Sequence, residues 1–374
     1  MKVCTNCVMD ETDPNIKFDS NGLCNHCTNF YKNIKPVWNN DGRDENKLFE
    51  LSNKIKDEND GSDFDCILGI SGGVDSSYLA YYTKEILGLR PLIFHVDAGW
   101  NSELAVNNIE KIISGLDLEL YTEVINWREM QDLQLSYFKS GIPCLDTPQD
   151  HVFFAAMYNF AKKNKIKYIF NGGNYSTECV REPLEWHYHA SDLKQLKSIH
   201  NKFGTIPLKT LPMSDIFKYK IYYRYFMNMK VIQPLNFIKY NKNTAINLLQ
   251  ERFDWNKYRY KHYESRFTRF YEGYWLLEKF GYDKRKAHLS SLVITNQMTR
   301  EEALDELKIK PYSKEEKIED FNYISKKLGI SIDLLTEFFN SKNKSFKDYK
   351  SNYYIIQLFV LIARLLKIER RLIH

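Results

Sequence analysis

Cys4-Thr5-Asn6-Cys7 and Cys24-Asn25-His26-Cys27 are two Cys-x-x-Cys pairs sixteen residues apart. Two such pairs at this spacing fit a four-sulfur zinc site. Each pair places two sulfurs on one turn, and the loop between them brings the turns together. Four sulfurs close the coordination shell, so Cys4, Cys7, Cys24 and Cys27 are expected to hold a structural Zn²⁺ with no open position for water. So short a segment has little core, and the metal then supplies its folding energy. His26 could replace one thiol, but with four present it reads as a residue outside the shell.

Ser71-Gly72-Gly73-Val74-Asp75-Ser76-Ser77 lies between a short apolar run and an amphipathic stretch. Glycines let backbone approach an anion closely, and a helix N-terminus offers free N–H groups and positive dipole. Ser71, Ser76 and Ser77 add hydroxyls. The loop has no lysine, so it is not a Walker A cradle, which needs one for the β and γ phosphates. Ser-Gly-Gly-x-Asp-Ser after a strand resembles the pyrophosphate loop of the PP-loop ATP pyrophosphatases. That resemblance implies ATP cleaved between the α and β phosphates, with Asp75 at the centre of the site.

Further candidates follow along the chain. Asp97, in His95-Val96-Asp97-Ala98-Gly99, ends an apolar run. It could reach a ribose hydroxyl or a metal beside adenosine, or cap a helix. Asn171-Gly172-Gly173-Asn174-Tyr175-Ser176-Thr177-Glu178 is similar to an element of NAD synthetase whose Glu helps hold Mg²⁺. Mg²⁺ takes oxygen ligands, few of them from protein, so Asp75 and Glu178 are the magnesium candidates and Gly172 and Gly173 nucleotide-binding ones. Asp146 and Asp150 could line the site or cap the following helix. The basic, aromatic segments Lys261–Tyr271 and Lys279–Ser291 offer cations for leaving pyrophosphate, where charge builds in the transition state. Lys261, His262, Arg266, Arg269, Lys284 and Arg285 are the candidates. His262, Arg266 and Arg269, at i, i+4 and i+7, are expected on one helical face; a solvated basic helix is the alternative reading. Trp186, His187 and His189 are open to a sugar site or to ordinary packing.

These residues need elements to position them. Short apolar runs at 65–70, 91–96, 118–125 and 168–171 alternate with helical patterns at 77–87, 102–114, 127–140 and 148–163. Strands alternating with helices of this length predict an α/β fold with a doubly wound parallel sheet, which binds ligands at the strands' carboxyl ends. Beyond about residue 185 the pattern is mostly helical. The expected division is a zinc ribbon (1–45), a PP-loop ATP-binding domain (46–185), a helical substrate and pyrophosphate region (186–310) and C-terminal helices (311–374).

The 374 residues carry 53 Lys and Arg against 48 Asp and Glu, a net charge of +5. That balance permits an anionic substrate but lacks the basic excess of a nucleic-acid binder. With 43% hydrophobic and 27% charged residues, the composition excludes wholesale disorder. Met1-Lys2-Val3-Cys4-Thr5 has no signal-peptide core, and the longest apolar run, Tyr353–Ala363, is shorter than the roughly 20 residues of a membrane span. A cytoplasmic location is expected. The apolar Tyr353–Leu366 stretch fits a buried core helix or a docking face. Lys314–Glu319 reads as a solvated helix face.

The ribbon, the Ser71–Ser76 loop, and the Lys261–Tyr271 and Lys279–Leu292 segments together resemble the N-acetyl sugar amidotransferase family of bacterial surface-polysaccharide and flagellin-sugar biosynthesis. The resemblance runs to about Leu307. It implies conversion of a sugar acetamido group to acetamidino through an adenylated intermediate. It also implies ammonia from a separate glutamine amidotransferase subunit, with a cyclase-like barrel subunit as conduit. The substrate would be a nucleotide-linked N-acetylated sugar or a nonulosonic acid such as pseudaminic acid. A tRNA 2-thiolation enzyme of the PP-loop class is the alternative, with Cys144 and Cys179 as its sulfur-handling residues. Against it, there is no second set of Cys-x-x-Cys pairs near the C-terminus.

Overall fold

A computed structural model of the protein describes residues 1–365; residues 366–374 of the expected C-terminal region, including Leu366 of the apolar stretch, lie outside the described residues. Five strands form one parallel sheet: β1 (Cys66–Gly69), β2 (Pro91–Asp97), β3 (Leu120–Val124), β4 (Tyr168–Phe170) and β5 (Lys230–Ile232), in the order β3-β2-β1-β4-β5. Ile67 pairs with Leu92 on one side and Ile169 on the other. Central strands of this kind are covered on both faces, which is why β1, β2 and β4 read as unbroken apolar runs. β5 is a strand inside the region expected to be mostly helical after residue 185. Its three residues have mixed exposure at a sheet edge, too short to give a period-2 signal.

The strand order reverses between β1 and β4, so a crevice opens there at the carboxyl ends. The loop after β1 and the loop after β4 both enter it. The apolar faces of helices Val74–Tyr81, Glu103–Leu116 and Lys242–Phe253 cover one side of the sheet, around Leu79, Ile112 and Leu249. The other side carries helices Trp127–Ser140 and Thr147–Lys163. Its core continues through Phe267, Phe270 and Trp275 to Phe321, Ile324 and Leu335 of the C-terminal helices. Polar side chains end these helices where water would otherwise be needed: Ser102 accepts from the Ala105 N–H, and Thr299 and Ser313 form capping boxes.

The N-terminal segment packs against helix Arg285–Ile294. Val8 N–H donates to Ser290 Oγ at 3.2 Å, Lys286 Nζ lies 2.6 Å from Asp10 Oδ2, and Trp186 is buried in the same cluster. The Tyr353–Leu365 helix is not a buried core helix. It leaves Tyr354, Leu358, Leu361 and Leu365 more than half exposed, while Ile356 faces inward. Among the described residues no helix is long and apolar enough to cross a membrane.

Candidate functional site: a glycine-loop cavity beside a sulfur cluster

The four cysteines of the N-terminal segment are buried, and their ligand atoms all lie within 4.8 Å of one another. Cys4 Sγ is 3.8 Å from Cys27 Sγ and Cys7 Sγ is 3.6 Å from Cys24 Sγ. A tetrahedron with Zn–S bonds of about 2.3 Å has edges of roughly 3.8 Å, so the donors fit the ion in type, number and spacing. Backbone N–H groups of Asn6 and Cys24 point at Cys4 Sγ, and that of Met9 at Cys7 Sγ. Such donors favour thiolate. Arg300 ties the knuckle to helix Arg300–Lys308 through the Cys4 and Cys7 carbonyls. His26 stands outside the shell with Nε2 2.8 Å from Asp13 Oδ2.

The loop after β1 turns at Gly72, whose φ of +82° disfavours an L side chain. A Cβ there would meet the Ala105 carbonyl at 2.8 Å, and one on Gly73 would meet Glu264 Oε1 at 2.8 Å. Both glycines are therefore needed for close approach. Trp255 Nε1–H donates to the Gly72 carbonyl at 3.0 Å and holds the turn. No side chain caps helix Val74–Tyr81, so its first N–H groups are offered to an anion. Ser71, Gly73, Val74, Asp75 and Ser76 line a 520 Å³ cavity at this end. Ser77 is buried beneath the loop and does not line the cavity. Gly172 closes on the loop from β4, where a Cβ would meet Ser76 N at 3.2 Å.

Asp75 is held from two directions. Its Oδ1 accepts from Tyr240 OH at 2.5 Å, and its Oδ2 lies 3.6 Å from Lys261 Nζ. Lys261 Nζ is also 2.5 Å from Glu178 Oε1. Burial works against the Lys261 charge, but the Glu178 and Asp75 carboxylates outweigh it and hold the ammonium above its ordinary range. The structure thus joins Asp75, Glu178 and Lys261 at one point. Asp97 lies elsewhere: its Oδ1 accepts the Gly99 N–H at 2.8 Å and shapes that turn.

The late basic residues divide. Lys261, His262 and Lys284 line the cavity; Arg266, Arg269 and Arg285 do not. The expected single helical face is corrected, because helix Arg266–Phe270 begins after Ser265, its N-cap, and His262 sits in a preceding turn with φ +65°. Helix spacing therefore does not apply across the three residues. Arg266 Nε is 2.8 Å and Arg269 Nη2 2.6 Å from fully buried Asp320, which also accepts from Tyr312 OH. These arginines bind the C-terminal helices to the core. Asp320→Ala is expected to lower stability by about 3 kcal/mol, because both cations lose their buried counter-ion. Denaturant titration checks it, and a loss below about 0.5 kcal/mol would mean the pairs behave as surface ones. Arg285 is similarly occupied, by Asp283 and the Glu306 and Ile309 carbonyls.

Sequence reasoning missed Lys242, Lys257, Glu182 and Glu272, and gave Glu264 and Tyr258 no role; all line the cavity. Burial, then neighbouring Lys261, lowers the Lys242 ammonium from its ordinary range. Lys242 opens helix Lys242–Phe253, where the macrodipole opposes a cation. That mismatch is the one sequence signal that could have flagged it. Lys284 Nζ bridges Glu272 Oε1 at 2.7 Å and Glu182 Oε2 at 3.0 Å. Burial pushes the Glu272 carboxyl up to about 7, although Lys284 offsets part of the cost. Burial, with Lys261 and Lys284 nearby, holds the His262 and His288 imidazoles well below their usual range, so both are neutral.

Phe154, Glu178, Glu182, His187 and His262 also line an adjoining cavity of 890 Å³. His189, Asn174 and Arg181 line that cavity, whereas Trp186 is buried against the sulfur-cluster segment. The glycine loop after β1 thus lies at the parallel sheet's switch point, beside an uncapped helix end and a lysine-bridged carboxylate pair.

The fold is of the α/β class, with a parallel sheet and a helical C-terminal region.

Residues 264–364 match the family described as LPS biosynthesis protein WbpG-like, C-terminal domain. The chain is 27% identical over 175 residues to the glutamine-hydrolysing GMP synthase of Chlamydia muridarum (strain MoPn / Nigg). That alignment takes in 46% of this chain and 28% of the relative, so the chain spans little more than a quarter of that protein. Among solved structures it is similar to the NH3-dependent NAD synthetase of Campylobacter jejuni (17% identity, TM-score 0.29, covering 56% of this chain and 93% of that one). It is also similar to the NMN synthetase of Francisella tularensis (16% identity, TM-score 0.28, covering 58% and 94%).

Proposed function

We propose that this chain is an ATP-dependent amidotransferase of bacterial lipopolysaccharide or related surface-sugar biosynthesis. It would convert an acetamido group on a nucleotide-linked or nonulosonic N-acetylated sugar to acetamidino. The observation that carries the reading is the pair of joined cavities: one holds the PP-loop with its cations, and the other is large and lined by histidines, Asn174 and Arg181. The match of residues 264–364 to an LPS biosynthesis domain supports the substrate class, and the GMP synthase likeness supports the reaction class.

The residues suit the chemistry. An amide oxygen leaves poorly until AMP is transferred to it. Free N–H groups at Val74–Ser76 and the Ser71 and Ser76 hydroxyls would hold the phosphates. Lys242, Lys257 and Lys261 would oppose the charge that builds on leaving pyrophosphate. Asp75 and Glu178 both face the Lys261 ammonium, at 3.6 and 2.5 Å. They would hold Mg²⁺, which supplies further neutralisation when bound. Ammonia then attacks the activated carbon and AMP departs. Its source is assigned to a separate glutamine amidotransferase subunit with a cyclase-like barrel subunit as conduit.

The test is product analysis. With ATP, Mg²⁺, ammonium at elevated pH and a nucleotide-linked N-acetylated sugar, the purified chain is expected to release AMP and pyrophosphate and to yield the amidine by mass. It should not use glutamine until the two partner subunits are added. ADP as product would overturn the reading.

The thiolation alternative needs a reactive thiol at the site. Burial pushes the Cys144 and Cys179 thiols up to about 12, and both lie in packed surroundings. A protonated, inaccessible thiol is inert. Replacing both by Ser is expected to leave turnover within about tenfold, the scale of small positioning losses. A folded but inactive double variant would favour thiolation.

A further inference from the structure

One apolar face of the molecule is left uncovered. Helix Tyr353–Leu365 sets Tyr354, Leu358, Leu361 and Leu365 at i, i+4, i+7 and i+11, a single stripe along its outer side, and each is more than half exposed. Helix Lys218–Phe226 adds Tyr225 and Phe226, also more than half exposed. The two segments adjoin: the Phe217 and Phe359 rings lie 5.6 Å apart, and both segments line the larger cavity. Single exposed apolar side chains are ordinary, but a set built jointly by two elements marks an interaction site. The charge around this face is uneven as well. Residues 215–226 hold three Lys and Arg against Asp215, and residues 347–364 hold three against Asp348. These two segments thus carry four of the five net positive charges of the whole chain. The Arg224 guanidinium lies 5.6 Å from the Tyr225 ring, and the Lys347 ammonium 5.9 Å from the ring of Tyr353 at the helix start, so cations border the stripe.

We infer that this face docks the protein on an anionic lipid surface, with helix Tyr353–Leu365 lying in the plane of the headgroups. An interfacial helix buries its apolar side at the acyl boundary, while neighbouring Lys and Arg side chains meet lipid phosphates. Tyr225 and Tyr354 suit the headgroup level, where an amphipathic ring finds apolar and polar surroundings together. Among the described residues no helix is long and apolar enough to cross a bilayer, so the contact is peripheral. A second copy of the chain is the poorer occupant, because pairing the face with itself would set four net positive charges against four more. Docking would hold the larger cavity, whose wall includes Phe359 and Ile362, beside the bilayer. It needs neither ATP nor sugar, and so stands apart from the amidotransferase reading.

Vesicle sedimentation with the full chain is the direct test. At low salt the protein is expected to bind vesicles containing phosphatidylglycerol about tenfold or more tightly than vesicles of phosphatidylcholine alone. Sodium chloride at about 1 M, where the Debye length is about 3 Å, should remove most of that preference. Leu358→Ser combined with Leu361→Ser should weaken binding to phosphatidylglycerol vesicles about tenfold or more, because both side chains lose their burial in lipid. The melting temperature should stay near wild type, since both leucines are exposed in the free protein. Lys347→Gln combined with Lys350→Gln should weaken binding to the anionic vesicles and leave the weak phosphatidylcholine binding unchanged. Failure of the wild type to bind anionic vesicles overturns the proposal, as does equal binding by the folded double-serine variant. A dimer in analytical ultracentrifugation that the double-serine variant dissociates would assign the face to a second copy instead.

Discussion

Asp75→Ala is expected to slow AMP formation by about 10²-fold or more, with the fold intact. Asp75 combines two contacts at the mouth of the phosphate loop. Its carboxylate accepts from Tyr240 OH and faces Lys261, which also holds Glu178. Truncation lets Lys261 collapse onto Glu178 alone and leaves the buried Tyr240 hydroxyl without its acceptor. Asp75→Asn separates the effects, because it can keep the Tyr240 contact while removing the charge. If charge is what matters, Asn loses nearly as much rate as Ala while its melting temperature stays near wild type. Rates of AMP and pyrophosphate release, read beside thermal unfolding, decide it. Full activity in Asp75→Asn would remove the residue from any role in metal or phosphate handling.

Replacing Cys24 and Cys27 together by Ser is expected to remove zinc from about one equivalent per chain to none, and to unfold the N-terminal segment. Structural zinc contributes on the order of 10 kcal/mol to segments of this size, far more than their small cores can supply. The consequence reaches the proposed active cavity. The segment packs on helix Arg285–Ile294 through Val8, Asp10 and the buried Trp186, and that helix carries His288, which lines the larger cavity. Turnover should therefore fall at least tenfold with the zinc. Elemental analysis and activity on the same preparation check both parts. Full zinc retention would sink the four-cysteine assignment.

Local chemistry was legible wherever function depends on residues close in sequence. The cysteine pairs, the Ser71–Ser76 loop and the Glu178 segment each act as one turn, so their spacing carries their geometry. The alternation that placed β1 to β4 was equally local, since a strand buried on both faces must be apolar throughout. The late cations were another matter. Lys261 reaches Asp75 across 186 positions of chain, while Arg266 and Arg269, only a few residues on, turn away to Asp320. Composition cannot tell a phosphate-binding arginine from one that neutralises a buried aspartate, because both need the same side chain.

By itself the sequence determined the cluster of four cysteines, the glycine turn ahead of helix Val74–Tyr81 and the parallel α/β class, because each is encoded in periods and spacings shorter than one element. The tertiary structure alone decided which cations face the cavity, that Lys242 is among them, and that Glu182 and Glu272, far apart in sequence, meet at Lys284. The physical reason is that charge pairing is set by distance in space. A lysine has its role fixed by the carboxylate or empty volume that folding brings opposite it, and neither is written in its neighbours along the chain.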